Sequence, residues 1–274
     1  MKRKAPRGAS PPVGDAEEHK RRVPPKSLRD TALAVVAEAN AARDLLARVP
    51  EPTRAFVIPG EPGGDDVEAR CILRAHVAGE APDLLRRWFF DLTRRNMFEL
   101  YERTWGWSNP EKRRELAHSD ARFIVAYERD GDGDAAKETM TSWSQPEDGS
   151  VLEGYVPVGF VHFRFEVEED DSAVTYVYEL QVEPRRQRGR GLGTRLMAAA
   201  EAVGASFGLE RCLLTVLKVN EGAARFYERM GYVPDVNTPR DEECHYVILT
   251  KGLGSASEGE GEARMTRRGP ARLT

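Results

Sequence analysis

The chain has 274 residues, 40% of them hydrophobic and 31% charged, with a net charge of −4. That length holds one generous domain or two small ones, and the charge excludes a protein that is basic throughout, so any nucleic-acid contact has to be a local patch. Three widely spaced cysteines, Cys71, Cys212 and Cys244, form no Cys-x-x-Cys pair for a zinc knuckle or disulfide framework, and no apolar run of about 18 residues is present to span a membrane.

Residues 1 to about 27 are rich in Lys, Arg, Pro and Gly and read as a disordered basic tail. Its clusters Lys2-Arg3-Lys4 and Lys20-Arg21-Arg22 have the spacing of a bipartite nuclear import signal, or are simply a solvated tail. Ser27 is a fitting N-cap for a helix running through TALAVVAEANAARDLLARV. A turn-rich stretch containing EPGGDD leads to a strand around Cys71 to Val77. A helix follows from Asp83, with Leu85, Phe89 and Leu92 on one stripe and Trp88, Met97 and Leu100 beside it. A short helix should begin at Asn109-Pro110, where a missing N–H costs nothing.

Ala121 to Glu128 reads as a strand, and 129–150 as a polar surface insertion. Asp130, Asp132 and Asp134 imitate the start of a calcium loop, but Ala135 stands where glycine is needed and Thr141 where an acid is needed, so no metal site is expected. In GFVHFRFEVEED, Val161, Phe163, Phe165 and Val167 alternate with His162, Arg164, Glu166 and Glu168, a strand with one apolar and one polar face. Asp170-Asp171-Ser172 supplies a turn, and AVTYVYELQV returns as the second strand of an antiparallel hairpin.

That strand ends Leu180-Gln181-Val182 and runs into RRQRGRGLGTRLM. Beyond it, Leu192, Leu196, Ala199 and Val203 mark one face of a helix closed by Gly208. The glycines therefore stand between a strand and a helix N-terminus, where free N–H groups and the helix dipole form an anion site. Glycine suits it because phosphate must approach the backbone closely. The P-loop pattern is absent, and the dinucleotide fingerprint fails at Thr194. An arginine-glycine RNA segment is the competing reading, although such segments are usually repeated and this one occurs once. Arg211 to Leu217 is a buried-strand candidate, followed by Asn220-Glu221-Gly222-Ala223-Ala224-Arg225-Phe226-Tyr227-Glu228-Arg229-Met230-Gly231-Tyr232. Cys212 reads as core.

The order Arg188-x-x-Gly191-x-Gly193 after a strand resembles the acetyl-coenzyme A pyrophosphate loop of the GNAT superfamily of N-acetyltransferases. The Asn220 segment is similar to that superfamily's N-x-x-A-x-x-x-Y-x-x-x-G-[FY] pattern. Two further features, FDLTRRNMFELYERTWGW and ECHYVILT, together with the hairpin strands, resemble the NatD branch of N-alpha-acetyltransferases, over roughly Leu84 to Lys251. The loop before Gly191 is a residue longer than in that branch. The resemblance implies an α/β (α+β) GNAT fold, a central mixed twisted sheet flanked by helices, with an N-terminal helical extension and a domain over 28–251 between disordered tails at 1–27 and 252–274. It also implies acetyl-CoA as co-substrate, held by Leu180, Gln181, Val182, Arg188, Gly189, Arg190, Gly191, Leu192, Gly193, Thr194 and Asn220.

The acceptors implied are histone H-four and H-two-A tails beginning Ser-Gly-Arg-Gly. Tyr101, Tyr176, Tyr178, Thr215 and Tyr246 carry over as walls and hydrogen-bond partners for the peptide. Glu166 and Glu168, with Val167 between them, complete that set; carboxylates lining a slot suit a cationic N-terminus followed closely by Arg. An α-amine of pKa about 7.7–8.0 needs little help to become the nucleophile. Glu179 is the first candidate base and Tyr178 the second, while Tyr227 can protonate the leaving thiolate. Strict alternation puts Glu179 opposite Tyr178, so Glu179 serves only if a bulge bends the strand there. Backbone N–H groups near Leu180 to Val182 would hold the thioester carbonyl. Trp105 and Trp107 read as core. A lysine or small-amine acetyltransferase, or a non-catalytic acetyl-CoA- or RNA-binding module, are the rival classes. The protein is expected to be monomeric, nuclear and cytoplasmic, without direct nucleic-acid or membrane partners.

Overall fold

A computed structural model describes residues 27–58, 69–129, 154–184, 191–241 and 244–254. Residues 1–26 and 255–274 of the two tails, the 129–150 insertion beyond Arg129 and Arg188-Gly189-Arg190 lie outside the described residues.

Ser27 does cap α1 (Leu28–Ala41): its hydroxyl accepts from the Asp30 N–H while the Asp30 carboxylate accepts from the Ser27 N–H. The helix expected to continue to Val49 stops at Ala41, because Asp44 turns outward to accept from the N–H groups of Leu46 and Ala47 and starts a separate single turn over Leu45–Arg48. Aspartate is worth more as a cap than inside a helix. A short helix α2 (Glu51–Arg54) and an edge strand β1 (Ala55–Ile58) occupy part of the stretch read as turns. Then come β2 (Ala69–Val77), α3 (Asp83–Glu102), α4 (Asn109–Leu116) and β3 (Arg122–Arg129). The hairpin is β4 (Tyr155–Val167) and β5 (Ala173–Val182). The second half runs α5 (Leu192–Ser206), β6 (Arg211–Leu217), α6 (Glu221–Arg229), β7 (Val233–Pro234) and β8 (Tyr246–Gly252).

These strands form one sheet in the order β1-β2-β3-β4-β5-β6-β8-β7. Every described pairing is antiparallel except β5 with β6. This is the architecture expected from the sequence, a mixed sheet with helices on both faces. On one face α1 and α5 bury Ala39, Leu192, Leu196, Ala199 and Val203 against Ile124, Val161, Phe163 and Val177. On the other, α3 lays Leu85, Trp88, Phe89 and Phe90 over Phe123, Val125 and Phe160. Phe89 stacks on Phe123 with ring centroids 4.1 Å apart; each such buried ring contributes about 1.5–3 kcal/mol.

Because both faces are covered, β4 does not have the one polar face its alternation suggested. His162 is fully buried, stacked between Phe123 and Tyr178, with neither ring nitrogen hydrogen-bonded among the described residues. Gly204 lets α5 press onto β5, where a Cβ would collide with the Thr175 hydroxyl.

Candidate active site

Two irregularities in β5 make the site. Val177 pairs with Phe163 and Glu179 with His162, so Tyr178 is the extra residue of a bulge, and Glu179 is turned by it onto the side that strict alternation denies it. The parallel pairing of β5 to β6 ends at Val177–Leu214, although β5 continues to Val182. Between the diverging strands lies a cavity of about 290 Å³, walled by Met97 and Tyr101 of α3, Glu115 of α4, Tyr176 to Gln181 of β5, Thr215 to Leu217 of β6, and Asn220, Ala223 and Tyr227 beside or on α6. Beyond Val177, β5 therefore offers its unpaired edge. The Val182 carbonyl accepts from the Asn96 side-chain amide. Adjacent strand residues send their N–H and C=O to opposite edges, so the Leu180 and Val182 backbones share the edge facing the opening.

Glu179 is buried, and both of its oxygens are taken: Oε1 accepts from Lys112 Nζ at 2.7 Å and Oε2 from the Gln181 amide at 2.7 Å. The same ammonium donates to Glu115 at 2.8 Å and to the Tyr101 hydroxyl at 3.2 Å. Burial works to lower the Lys112 pKa, but Glu179, Tyr101 and Glu115 together hold it above the ordinary lysine value. Burial, and then the Glu179 charge, raise Glu115, with Lys112 acting against them. Tyr101 is likewise raised by burial and by Glu179.

Lys112 and Glu115 were not among the residues singled out from the sequence. NPEKRREL carries one apolar residue, Leu116, and Lys112 and Glu115 lie four and one positions before it, so a helical wheel puts all three on the inward face. That is the signal that would have found them.

At one mouth of the cavity stand the residues assigned to the acceptor. The Tyr178 hydroxyl donates to Glu166 at 2.7 Å, and the Arg164 guanidinium lies 4.2 Å over the Tyr178 ring. Tyr176 and Thr215 share a hydrogen bond of 2.7 Å across the strand gap. Trp105 is half exposed, not core, and packs edge-on between Tyr101 and Tyr246. Trp107 packs on Phe90, Phe98 and Tyr101. Glu166 and Glu168 are half-buried, and burial followed by the Glu166 charge raises the pKa of Glu168. Val167 faces the other way, packed against the main core as strand alternation requires.

Tyr178 is poorly placed as a base, since burial and its bond to Glu166 hold its pKa above the ordinary tyrosine value. Tyr227 is raised by burial and then by Glu179, so it stays a phenol, the state that can give a proton away. Cys212 is fully buried and burial pushes its thiol up to about 12, which suits packing and not nucleophilic attack.

The other end is the start of α5. Gly191 is its N-cap at φ 84°, a left-handed conformation that favours glycine, and among the described residues no side chain caps the helix. The first-turn N–H groups at Leu192, Gly193 and Thr194 are therefore the donors, together with the helix dipole. Leu192 contributes only backbone, its side chain being core. A Cβ on Gly193 would lie 3.4 Å from the Phe226 ring and 3.7 Å from Leu180, so α5, α6 and β5 come within van der Waals reach of one another here. Asn220 accepts from the Ala223 N–H at 3.2 Å, capping α6, and its amide group borders the cavity. A helix start that no described side chain caps, an open strand edge and the cavity along that edge fit a long ligand with an anionic end and a thioester, such as acetyl-CoA. Among the described residues there is no cluster of three metal-ligating side chains, and no helix is long and apolar enough to cross a membrane.

Against known proteins, the model of the acetyltransferase (GNAT) family matches residues 91–232, just over half of the chain. Similar solved structures include nourseothricin acetyltransferase, at 21% identity over 49% of this chain and 66% of that one, just under two thirds of its length, with a TM-score of 0.34. Arabidopsis thaliana Naa50 in complex with the bisubstrate analogue CoA-Ac-MVNAL is similar at 16% identity, over 65% of this chain and 97% of that one, with a TM-score of 0.41. A chain of the NatC complex bound to Gag peptide and CoA matches at 14% identity, over 67% and 99%, with a TM-score of 0.44.

Proposed function

The chain belongs to the acetyltransferase (GNAT) family, and on that footing we propose that it transfers acetyl from acetyl-CoA to the free α-amine of protein N-termini, the acceptors being histone H-four and H-two-A tails that begin Ser-Gly-Arg-Gly. The observation that carries the reading is the placement of Glu166 beside Tyr178, at the mouth of a cavity whose floor holds the Lys112–Glu179 pair. Carboxylates there match an ammonium terminus followed by an arginine, and the aromatic walls Tyr101, Tyr176 and Tyr246 match a short, extended peptide.

Acetyl-CoA supplies the activated acyl group as a thioester. Its phosphates fit the N–H groups at the start of α5, and its acyl oxygen fits the Leu180 and Val182 N–H groups on the open edge of β5, where developing negative charge is stabilised. Glu179 takes the proton of the incoming ammonium through a water molecule, which leaves a neutral amine to attack directly. Tyr227 gives its proton to the departing thiolate. No acyl-enzyme is needed, and the reaction proceeds with both substrates bound. With these acceptors the protein acts as a monomer in the cytoplasm and nucleus, and Lys2-Arg3-Lys4 with Lys20-Arg21-Arg22 serve as the import signal.

The test is charge reversal in the acceptor. Acetyl transfer to Ser-Gly-Arg-Gly-Lys is expected to fall by at least about tenfold in kcat/KM, roughly 1.4 kcal/mol, when its arginine becomes glutamate. Equal transfer to both peptides would contradict the acidic slot.

A further inference from the structure

The buried cluster beneath the cavity contains more than the transfer reaction uses. Glu179 on β5 and Glu115 on α4 both converge on one ammonium, Lys112 Nζ, whose side chain is 7% exposed. The Glu179 side chain is 3% exposed and that of Glu115 29%, and both line the cavity. A lysine buried this deeply is costly unless its charge is used. Here it donates to three groups from three elements: Tyr101 of α3, Glu115 of its own helix and Glu179 of the bulged strand. Those are the only donors' targets it needs, since an ammonium has three protons.

Resting on the reading proposed above, we infer that Lys112 is a positioning residue for acetyl transfer: its ammonium pairs with the Glu179 carboxylate and aims it at the cavity, and Glu115, drawing on the same ammonium, weakens that hold. The other groups packed around Glu179 do not replace Lys112. His162, opposite it on β4, is fully buried, and burial followed by the Arg164 charge keeps its ring neutral. Arg164 of β4 is turned to the Tyr178 ring, Tyr178 donates to Glu166, and Gln181 is a neutral donor. Tyr227 of α6 and Tyr101 of α3 are protonated phenols. Among the described residues, one full positive charge thus contacts the Glu179 carboxylate, and one further carboxylate competes for it.

Two substitutions on the same helix should then move the reaction in opposite directions. In Lys112→Met, the acid limb of the kcat–pH profile shifts upward by about 1–3 pH units, the size of effect a lost opposite charge produces. In Glu115→Gln, with the competitor gone, the limb shifts downward. Lys112→Arg restores the wild-type limb. Shifts in the same direction, or loss of rate with an unmoved limb, would overturn the inference. Because removing charge also affects the bound amine, infrared spectra of the peptide-free protein supply the independent readout. Followed across pH, a protonated-carboxyl stretch should persist to a pH about 1–3 units higher in Lys112→Met than in wild type, and that component should be missing from Lys112→Met/Glu179→Gln; an unmoved titration in Lys112→Met overturns the inference. That measurement needs no acceptor, so it separates failure of this assignment from failure of the substrate assignment. If Lys112→Met does not fold, the downward shift in Glu115→Gln decides, with an unmoved or raised limb counting against Lys112.

Discussion

Lys112 and Glu179 are 67 residues apart in the chain and meet as a buried ion pair, Nζ to Oε1 at 2.7 Å. Neither group gains stability cheaply there: desolvation costs each ion several kcal/mol, and a packed apolar pair would do as well. The pair makes sense as part of a site. It sits where a bulge ends the regular course of β5 and where β6 peels away, so the charge lies at the floor of the cavity and not in solid core.

Glu166 and Glu168 form the acceptor side of the proposed site. Replacing both by glutamine is expected to weaken binding of a Ser-Gly-Arg-Gly peptide by about tenfold or more, roughly 1.4 kcal/mol, while acetyl-CoA affinity stays at the wild-type value. Calorimetric titration with each ligand separately checks this. Equal loss of both affinities would show a general structural defect.

Tyr227 is held as a phenol by burial and by the Glu179 charge. Tyr227→Phe keeps the ring and removes the proton, so kcat should fall by about 10²-fold with acetyl-CoA binding unchanged. Steady-state rates, with binding measured in parallel, give the answer; an unchanged kcat removes Tyr227 from the reaction.

Gly204 faces Thr175 with no room for a side chain. Gly204→Ala gains helix propensity but forces α5 off the sheet, and overpacking of this kind costs about 1–3 kcal/mol. Denaturant unfolding should show a lower midpoint at unchanged slope. A rise in stability would mean that the helix yields without cost.

His162 and His76 link stability to pH. Burial holds His76 down to about 4 and His162 well below its ordinary value, so both are neutral in the folded protein. The unfolded chain protonates each near pH ~6.5, so it binds more protons than the native state once the pH falls below that value. Stability is therefore greatest above pH ~6.5 and falls as the pH drops toward the folded-state values, by up to about 1.4 kcal/mol per pH unit for His162. Unfolding curves across that window, for wild type and His162→Gln, test the sign: the substitution should flatten the slope.

Much of this architecture could be read from residue patterns. Leu192, Leu196, Ala199 and Val203 describe the buried face of α5, and Asn109-Pro110 marks the start of α4. The need for a bulge at Glu179 followed from period-two geometry alone, and the register of β4 on β5 contains it. What escaped reading was set by tertiary contacts. Asp44 ends a helical pattern by capping the next turn, a competition that local propensity does not rank. His162 looks like a solvent-facing residue until α3 covers that face of the sheet. Trp105 looks like core but stands half exposed beside Tyr101 and Tyr246. Lys112 hides in a polar helix where one leucine alone reports which face turns inward.

The most direct measurement is acetyl transfer from acetyl-CoA to two peptides, one beginning Ser-Gly-Arg-Gly-Lys with a free N-terminus and one identical but blocked there. Transfer to the free peptide alone is expected, with the acetyl group located on the terminal serine by fragmentation. Transfer to both would make a lysine the acceptor and contradict the α-amine assignment; transfer to neither would leave the cavity as a binding site without this chemistry.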